Sequence, residues 1–329
     1  MPVGMQVFRS VAEIPAGFGP TVGVIGNLDG VHLGHQEILR AVSAEAREIG
    51  ARSVAITFEP HPQHFLRGNH SPLLLAPMPE RLRLLAQMQT TTGIDSVLVL
   101  PFDEALCKLS ARDFVKQILV DRLGVKSIHE GRNFRFGHRA EAGVAELTEL
   151  GQEFGFKVTV HAPVHVRGLE LSSSAVRKLI AAGDLRRARW MLGRNFAVHS
   201  TPARGRGIGT RLLVPTVNLA AYSGLLPAFG VYVTWLRIGE RCFQSITNVG
   251  NRPTFGEPSF AVESHILDFE PVDLTEDTPL ELEFLMRLRP EFRWPSPEAL
   301  KAQIMKDVER AKRFFRLARC VKLNDKKLR

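Results

Sequence analysis

The chain is poor in cysteine and has no long apolar run. Its three cysteines, Cys107, Cys242 and Cys320, are odd in number, widely spaced and without histidine neighbours at zinc-site spacing. That argues against a disulfide framework and a structural metal and leaves reduced, mostly buried thiols. No apolar stretch approaches the roughly 20 residues a membrane span needs. The segment Met1 to Ser10 shows neither the charged start nor the apolar core of a signal peptide. The expected compartment is the cytoplasm, with no membrane partner. Internal repeats are absent, and so is low-complexity sequence apart from a basic terminal segment.

What is present suits two domains with proper cores: 329 residues, 44% hydrophobic and 23% charged. The net charge of +9 raises the question of nucleic acid. Its distribution answers most of it, because residues 310–329 hold nine Lys and Arg against one acid, Asp325, and the remainder is nearly neutral. A basic terminus of this kind reads as a solvated, frayed end rather than a nucleic-acid arm.

From Thr21 to about Leu192, apolar runs alternate with helical periods. Val22–Ile25, Ser53–Phe58, Ser96–Leu100, Ser127–Glu130 and Lys157–Val160 look like strands between helix-like stretches. This predicts an α/β domain, a doubly wound parallel sheet of Rossmann-like type. After Gly193 the punctuation changes to short strands with glycine and proline: Phe196–His199, Gly230–Ile238, Arg241–Asn248, Phe260–Phe269 and Leu280–Phe284. That spacing predicts an antiparallel β-barrel or sandwich. Ser296 and Pro297 suit the cap and first position of a final helix, whose stripe Leu300, Ile304, Val308, Ala311 and Phe315 packs on the barrel. The expected boundaries are 1–192, 193–316 and a basic tail at 317–329.

The richest segment is Gly26-Asn27-Leu28-Asp29-Gly30-Val31-His32-Leu33-Gly34-His35, between the first strand and the helix-like Gln36–Glu48. Helix N-termini offer unpaired N–H groups and a positive dipole end, and glycines let a polyphosphate approach the backbone. His32 and His35 are three apart and share a face, where imidazoles can hydrogen-bond phosphate and stabilise charge developing at phosphorus. A glycine turn with two solvated histidines is the plain alternative.

Five further segments can carry chemistry. Phe58, Pro60 and His61 end the second strand in a rigid proline turn. Gly131–Gly137, with Asn133, Phe134 and Phe136, suits a flat aromatic ligand with charged groups, or equally a core with solvated arginines. Ser172, Ser173, Ser174 and Arg177 open a helix, which capping explains and a phosphate site would also use. In the second half, Gly205, Gly207 and Gly209 precede Thr216 and Asn218, which in extended chain face one side and can help hold Mg²⁺ with ATP phosphates. Glu263 stands on the side of Leu267 and Phe269, a candidate general base. Spacing alone favours a solvent-facing glutamate at a sheet edge.

In this order, from about Thr21 to Phe315, these segments resemble the bacterial bifunctional riboflavin kinase/FAD synthetases. The resemblance implies an N-terminal module that adenylylates FMN with ATP and a C-terminal flavokinase barrel. It places His32, His35, Gly26, Asp29, Gly30, Gly34, Asn133, Ser173, Ser174 and Arg177 at ATP, with the histidines catalytic. It sets Phe58, Pro60, His61, Phe134 and Phe136 against flavin. It gives the glycine loop, Thr216 and Asn218 to Mg-ATP, and makes Glu263 the base for the ribityl 5′-hydroxyl. Substrates would be ATP, riboflavin and FMN.

Two departures stand out. Leu28 replaces the usual phenylalanine. Gly209 to Asn218 replaces Gly-Arg-Thr-Leu-Gly-Phe-Pro-Thr-Ala-Asn, losing a glycine and an aromatic, so an alternative is mainly an FMN adenylyltransferase with weak kinase activity. His-Leu-Gly-His also resembles the ATP motif of class I aminoacyl-tRNA synthetases, but a lysine-rich second motif and an anticodon-binding domain are missing. A non-catalytic flavin- or RNA-binding protein would keep the fold without turnover.

Overall fold

The computed structural model describes residues 4–203, 216–252, 259–268, 272 and 274–327. Two compact units divide between Ser173 and Ser174.

The first unit is built on six strands: β1 (Gln6–Phe8), β2 (Thr21–Ile25), β3 (Arg52–Glu59), β4 (Ser96–Pro101), β5 (Val125–Gly131) and β6 (Lys157–His161). Their order is β1-β4-β3-β2-β5-β6 and every pairing is parallel. β2 is buried along its whole length, as a strand covered on both faces must be. On one face α1 (Leu33–Glu48) and the helix Met78–Gln87 pack Leu39, Val42, Ala46, Leu84 and Leu85 against Val22, Val24 and Val97. The other face buries Ile25, Ile56 and Ile128 under Phe114, Val115, Phe136 and Leu147. Because β3 and β4 build outward on one side of β2 and β5 and β6 on the other, the chain reverses direction between β2 and β5. Ligands of open α/β sheets bind at the carboxyl ends of the strands at such a reversal.

Every expected strand of this unit is found, and α1 begins three residues before the expected Gln36, at Leu33. The edge strand β1 was not expected. It is three residues long and takes its register from Ser96–Leu98 of β4, so no local periodicity announces it. A two-strand ribbon, β7 (His165–Val166) and β8 (Leu169–Glu170), follows β6.

The second unit starts with the helices Ser173–Ala181 and Leu185–Leu192 and continues through β9 (Phe196–Ser200), β10 (Thr216–Asn218), β11 (Gly230–Ile238), β12 (Arg241–Arg252), β13 (Ser259–Ile266) and β14 (Leu280–Pro290). Their order is β10-β13-β12-β11-β14-β9, all antiparallel. The ends of the sheet meet: Pro202 after β9 bridges Leu219 after β10, and the Ala203 N–H donates to the Asn218 carbonyl at 2.9 Å. Inside, the buried hydroxyls of Thr234, Ser245, Thr247 and Ser264 satisfy one another at 2.7 to 3.0 Å.

Outside, the terminal helix Pro297–Lys327 buries Val308, Ala311 and Phe315 on Val231, Val233 and Ile246. Ser296 caps it, its hydroxyl accepting from the Ala299 N–H at 3.2 Å. This helix runs on through the basic segment expected to fray, in keeping with the strong helix propensity of its Ala, Lys, Arg and Leu residues. The Phe315 ring lies 4.8 Å from that of Trp235. Phe315→Ala is expected to destabilise the second unit by about 3 kcal/mol, the cost of an emptied aromatic site. Denaturant unfolding followed by tryptophan fluorescence measures it.

Candidate functional site

In the first unit the turn from Gly26 to His32 leaves the carboxyl end of β2 with an improbable backbone. Leu28, Gly30 and Val31 all have positive φ, at 49°, 79° and 38°. For a β-branched residue such as Val31 this conformation is a true outlier, and it persists only where the surroundings over-determine it. They do so here through five bonds. The Asp29 carboxylate accepts from the N–H groups of Leu75 and Ala76 at 3.1 and 2.9 Å. The Ser173 hydroxyl donates to the Asp29 carbonyl at 2.9 Å, the Gln36 amide to the Val31 carbonyl at 3.0 Å, and the Thr57 hydroxyl to the Asn27 carbonyl at 3.2 Å. The buried Arg81 donates in turn to the Thr57 hydroxyl at 3.2 Å. Gly30 is needed both for its φ and for space, since a Cβ there would stand 2.8 Å from Leu75.

The turn delivers His32 as the N-cap of α1. Its Nδ1 accepts from the His35 N–H at 3.3 Å, so Nε2 is the donor atom of the ring. The His32 and His35 rings stack with centroids 3.6 Å apart. Gly34 makes room: a Cβ there would meet the His32 ring at 3.2 Å. Two imidazoles thus lie together over the positive end of a helix, at the sheet's reversal point.

The remaining expected residues of this unit fall into two groups. Asp29 is 1% exposed and both its oxygens serve the protein's own main chain, so it anchors the turn rather than facing ATP. Phe136 is likewise a core residue, stacked on Phe134 at 5.3 Å and packed on Phe114. His61 is buried and caps the helix Pro62–Arg67, accepting from the Gln63 N–H at 3.1 Å. Asn133 is exposed after β5, while Phe58 packs edge-on against Phe102, which does the same with the half-exposed Phe65. Pro60 follows β3 directly. Ser174 and Arg177 stand in the first turns of the helix that opens the second unit.

Sequence reasoning missed two buried polar groups on β5. His129 lies 2.6 Å from the Glu45 carboxylate and 3.0 Å from His161, tying α1 to β5 and β6. Burial pushes both histidines below their ordinary range. Glu130, 3% exposed, accepts the Ile25 N–H at 2.6 Å, and burial raises its carboxyl well above the usual range.

In the second unit Gly205, Gly207, Gly209 and Phe269 lie outside the described residues. Thr216 and Asn218 face one side of β10, where Thr216 pairs with His265 and Asn218 with Glu263. Glu263 pairs on its other flank with Asn248, and Asn248 with Val231, which packs under the terminal helix. One cross-strand row therefore runs Asn218, Glu263, Asn248, Val231, with neighbouring side chains on a common face. The half-buried Glu263 lies on an interior strand, between β10 and β12, and not at a free edge. Asn248 was missed, since only the register of β12 on β13 brings it there. Among the described residues no group of three His, Cys, Asp or Glu is placed to hold a metal ion. The hydroxyl and amide oxygen of Thr216 and Asn218 are the hard donors a divalent cation takes alongside phosphate oxygens.

Comparison with known proteins bears on both halves. The model of the FAD synthetase family matches residues 16–175, and that of the riboflavin kinase family residues 192–315. A bifunctional riboflavin kinase/FMN adenylyltransferase of Pseudomonas fluorescens is 36% identical over 94% of this chain and 97% of its own length. The protein of that description from Escherichia coli K12 is 34% identical over 90% and 93%. A solved structure described as a macrolide-efflux protein from Streptococcus pneumoniae superposes with a TM-score of 0.83 at 25% identity, over 94% of this chain and 99% of that one. Among the described residues no helix is long and apolar enough to cross a membrane.

Glu130 makes stability depend on pH with a definite sign. A carboxyl whose pKa rises on folding binds more protons folded than unfolded, so stability falls as pH climbs through and above the ordinary carboxylate range. Glu130→Gln keeps the acceptor and removes the titration. Its melting temperature should exceed that of wild type at pH 8, with the gap closing toward pH 4.5; thermal melts across that range decide it.

Proposed function

The chain belongs to the bifunctional riboflavin kinase/FMN adenylyltransferase family, and from that premise we propose how its residues divide the two reactions. The activities are those of a transferase with two sites: riboflavin is phosphorylated to FMN with ATP, and FMN is adenylylated to FAD with release of pyrophosphate. The expectation of a chain that is mainly an adenylyltransferase receives no support, because the kinase family matches across residues 192–315. We assign residues 1–192 to adenylyl transfer, 193–316 to the kinase and 317–329 to a basic extension of the terminal helix. ATP-dependent enzymes of these families generally need a divalent metal, and we take it to be Mg²⁺, held with ATP phosphates by Thr216 and Asn218 in the kinase. The substrates and thiols suit the cytoplasm, and the ligands we assign are ATP, riboflavin and FMN, without nucleic acid.

The observation that carries the first assignment is the stacked His32–His35 pair on the N-terminus of α1. An oxygen of the FMN phosphate attacks the α-phosphorus of ATP, the bond to the bridging oxygen breaks, and pyrophosphate leaves. The nucleophile is already ionised, its second pKa being near 6 as for other phosphate monoesters. What the protein supplies is position and positive potential: helix N–H groups, the glycines at 26, 30 and 34, the two imidazoles, and Asn133, Ser173, Ser174 and Arg177. Asp29 acts through the turn it anchors. Phe58, Pro60, His61 and Phe134 border the flavin side, with Phe136 backing Phe134 from the core.

In the kinase the ribityl 5′-hydroxyl attacks the γ-phosphorus of ATP, its proton passes to the Glu263 carboxylate, and ADP leaves. A bound divalent cation neutralises charge on the phosphates. Glu263 sits beside Asn218 in register, on one face of the sheet, which supports this assignment.

His32→Ala is expected to abolish FAD formation from supplied FMN while riboflavin phosphorylation stays largely intact. Chromatography of FMN and FAD made by the purified variant tests it, and equal loss of both activities in a folded chain refutes the two-site assignment. Glu263→Gln should lower riboflavin phosphorylation by about 10²–10⁴-fold, the usual loss of a general base. FAD formation from added FMN should persist. FMN production near the wild-type rate would return Glu263 to the role of a polar edge residue.

A further inference from the structure

The parallel ladder of β2 on β5 pairs Thr21, Val22 and Gly23 and ends at Gly23 opposite Ile128. Both strands continue, β2 to Ile25 and β5 to Gly131. In this unladdered stretch the Ile25 N–H donates to Oε1 of Glu130, at 2.6 Å, where a regular ladder would offer a main-chain carbonyl. The carboxyl is therefore a spacer inserted between two strands that have stopped pairing. Chain leaving Ile25 enters the turn that carries His32 and His35; chain leaving Glu130 enters the Gly131–Gly137 loop.

The position is an expensive one for an acid. Glu130 is 3% exposed, on a strand whose Ile25 and Ile128 neighbours belong to the apolar core. Among the described residues, the Ile25 N–H is the group that offsets the cost of burying it. An apolar side chain would cost the core less. Buried polar groups kept at such cost cluster where position matters to function.

We propose that Glu130 is a positioning residue for adenylyl transfer: by standing in for the main-chain acceptor of Ile25 it sets the separation between the histidine turn and the Gly131–Gly137 loop. This rests on the reading of the first unit as the adenylyltransferase. Without the spacer, the Ile25 N–H must find an acceptor on β5 itself, the strands close, and the turn with its two imidazoles shifts against the bound nucleotide. Reactions governed by positioning lose rate steeply with such shifts.

Two substitutions in the full chain separate this role from simple packing. Glu130→Gln preserves an acceptor of the same reach and should keep the kcat of FAD formation from FMN within about threefold of wild type. Glu130→Val removes the acceptor and should lower that kcat at least about tenfold, while the same preparation phosphorylates riboflavin at the wild-type rate. Wild-type kcat and KM for adenylyl transfer in Glu130→Val overturn the proposal. Should that variant fail to fold by thermal melt, Glu130→Asp takes its place. Its shorter arm keeps the acid but draws the strands together, so a tenfold loss supports the proposal and an unchanged rate refutes it. A wild-type chain that made no FAD from FMN would instead refute the parent assignment, so the two failures are distinguishable.

Discussion

The first unit depends on one constraint, the left-handed turn from Leu28 to Val31. A β-branched residue at φ 38° is not a conformation that local sequence favours. It is held because Asp29, buried and ionisable, finds two main-chain donors at Leu75 and Ala76, far along the chain. Those donors exist only once the segment before the helix Met78–Gln87 has docked. The turn thus depends on long-range contacts, and its reward is geometric: it brings His32 to the N-cap of α1 with a defined donor atom and lays His35 against it. Removing any single anchor would strand a buried polar group, which costs about 1–3 kcal/mol, so the anchors reinforce one another.

β5 supplies the matching constraint. Its alternating side chains reach in different directions with unlike chemistry, His129 toward Glu45 on α1 and Glu130 toward the backbone of β2. One strand thereby fixes both the helix that bears the histidine pair and the strand that feeds it. Parallel sheets are usually held by apolar faces alone. Here the switch point is pinned by polar bonds in the middle of an apolar sheet, an arrangement that trades stability for a defined spacing.

Much of this was legible in the sequence, for reasons that also mark the limits. Strands β2 to β4 could be read because burial on both faces forces near-continuous apolar runs, β5 and β6 from shorter apolar signals, and the terminal helix because Ser296, Pro297 and its stripe are local signals. The two-site reading followed from the resemblance of several short motifs, in order along the chain, to one family. What escaped was whatever depends on long-range register. Asp29 looks like a ligand for phosphate until its partners 46 and 47 residues away are seen. Glu130 reads as the polar end of a strand until Ile25, 105 residues earlier, takes its oxygen. Asn248 gains meaning only from the pairing of β12 with β13, and spacing alone could not free Glu263 from the edge-strand reading that β10 removes.

The two reactions ask for opposite chemistry, and the residue content of the two units follows that difference. A phosphate nucleophile arrives ionised, so what limits its attack on another phosphate is mutual repulsion. Donors, helix dipole and imidazole relieve that, and a carboxylate facing the substrate would aggravate it. Two carboxylates of the first unit turn inward, Asp29 onto main-chain N–H groups and Glu130 into the sheet. An alcohol nucleophile arrives neutral and must lose a proton, the role proposed for Glu263, which stands in a row with two amides. Asn218 and Asn248 carry no charge that would compete with a cation, and each amide offers an N–H donor along this row. The inward acids of one unit and the presented acid of the other are thus two answers to one question, whether the attacking oxygen already carries its charge.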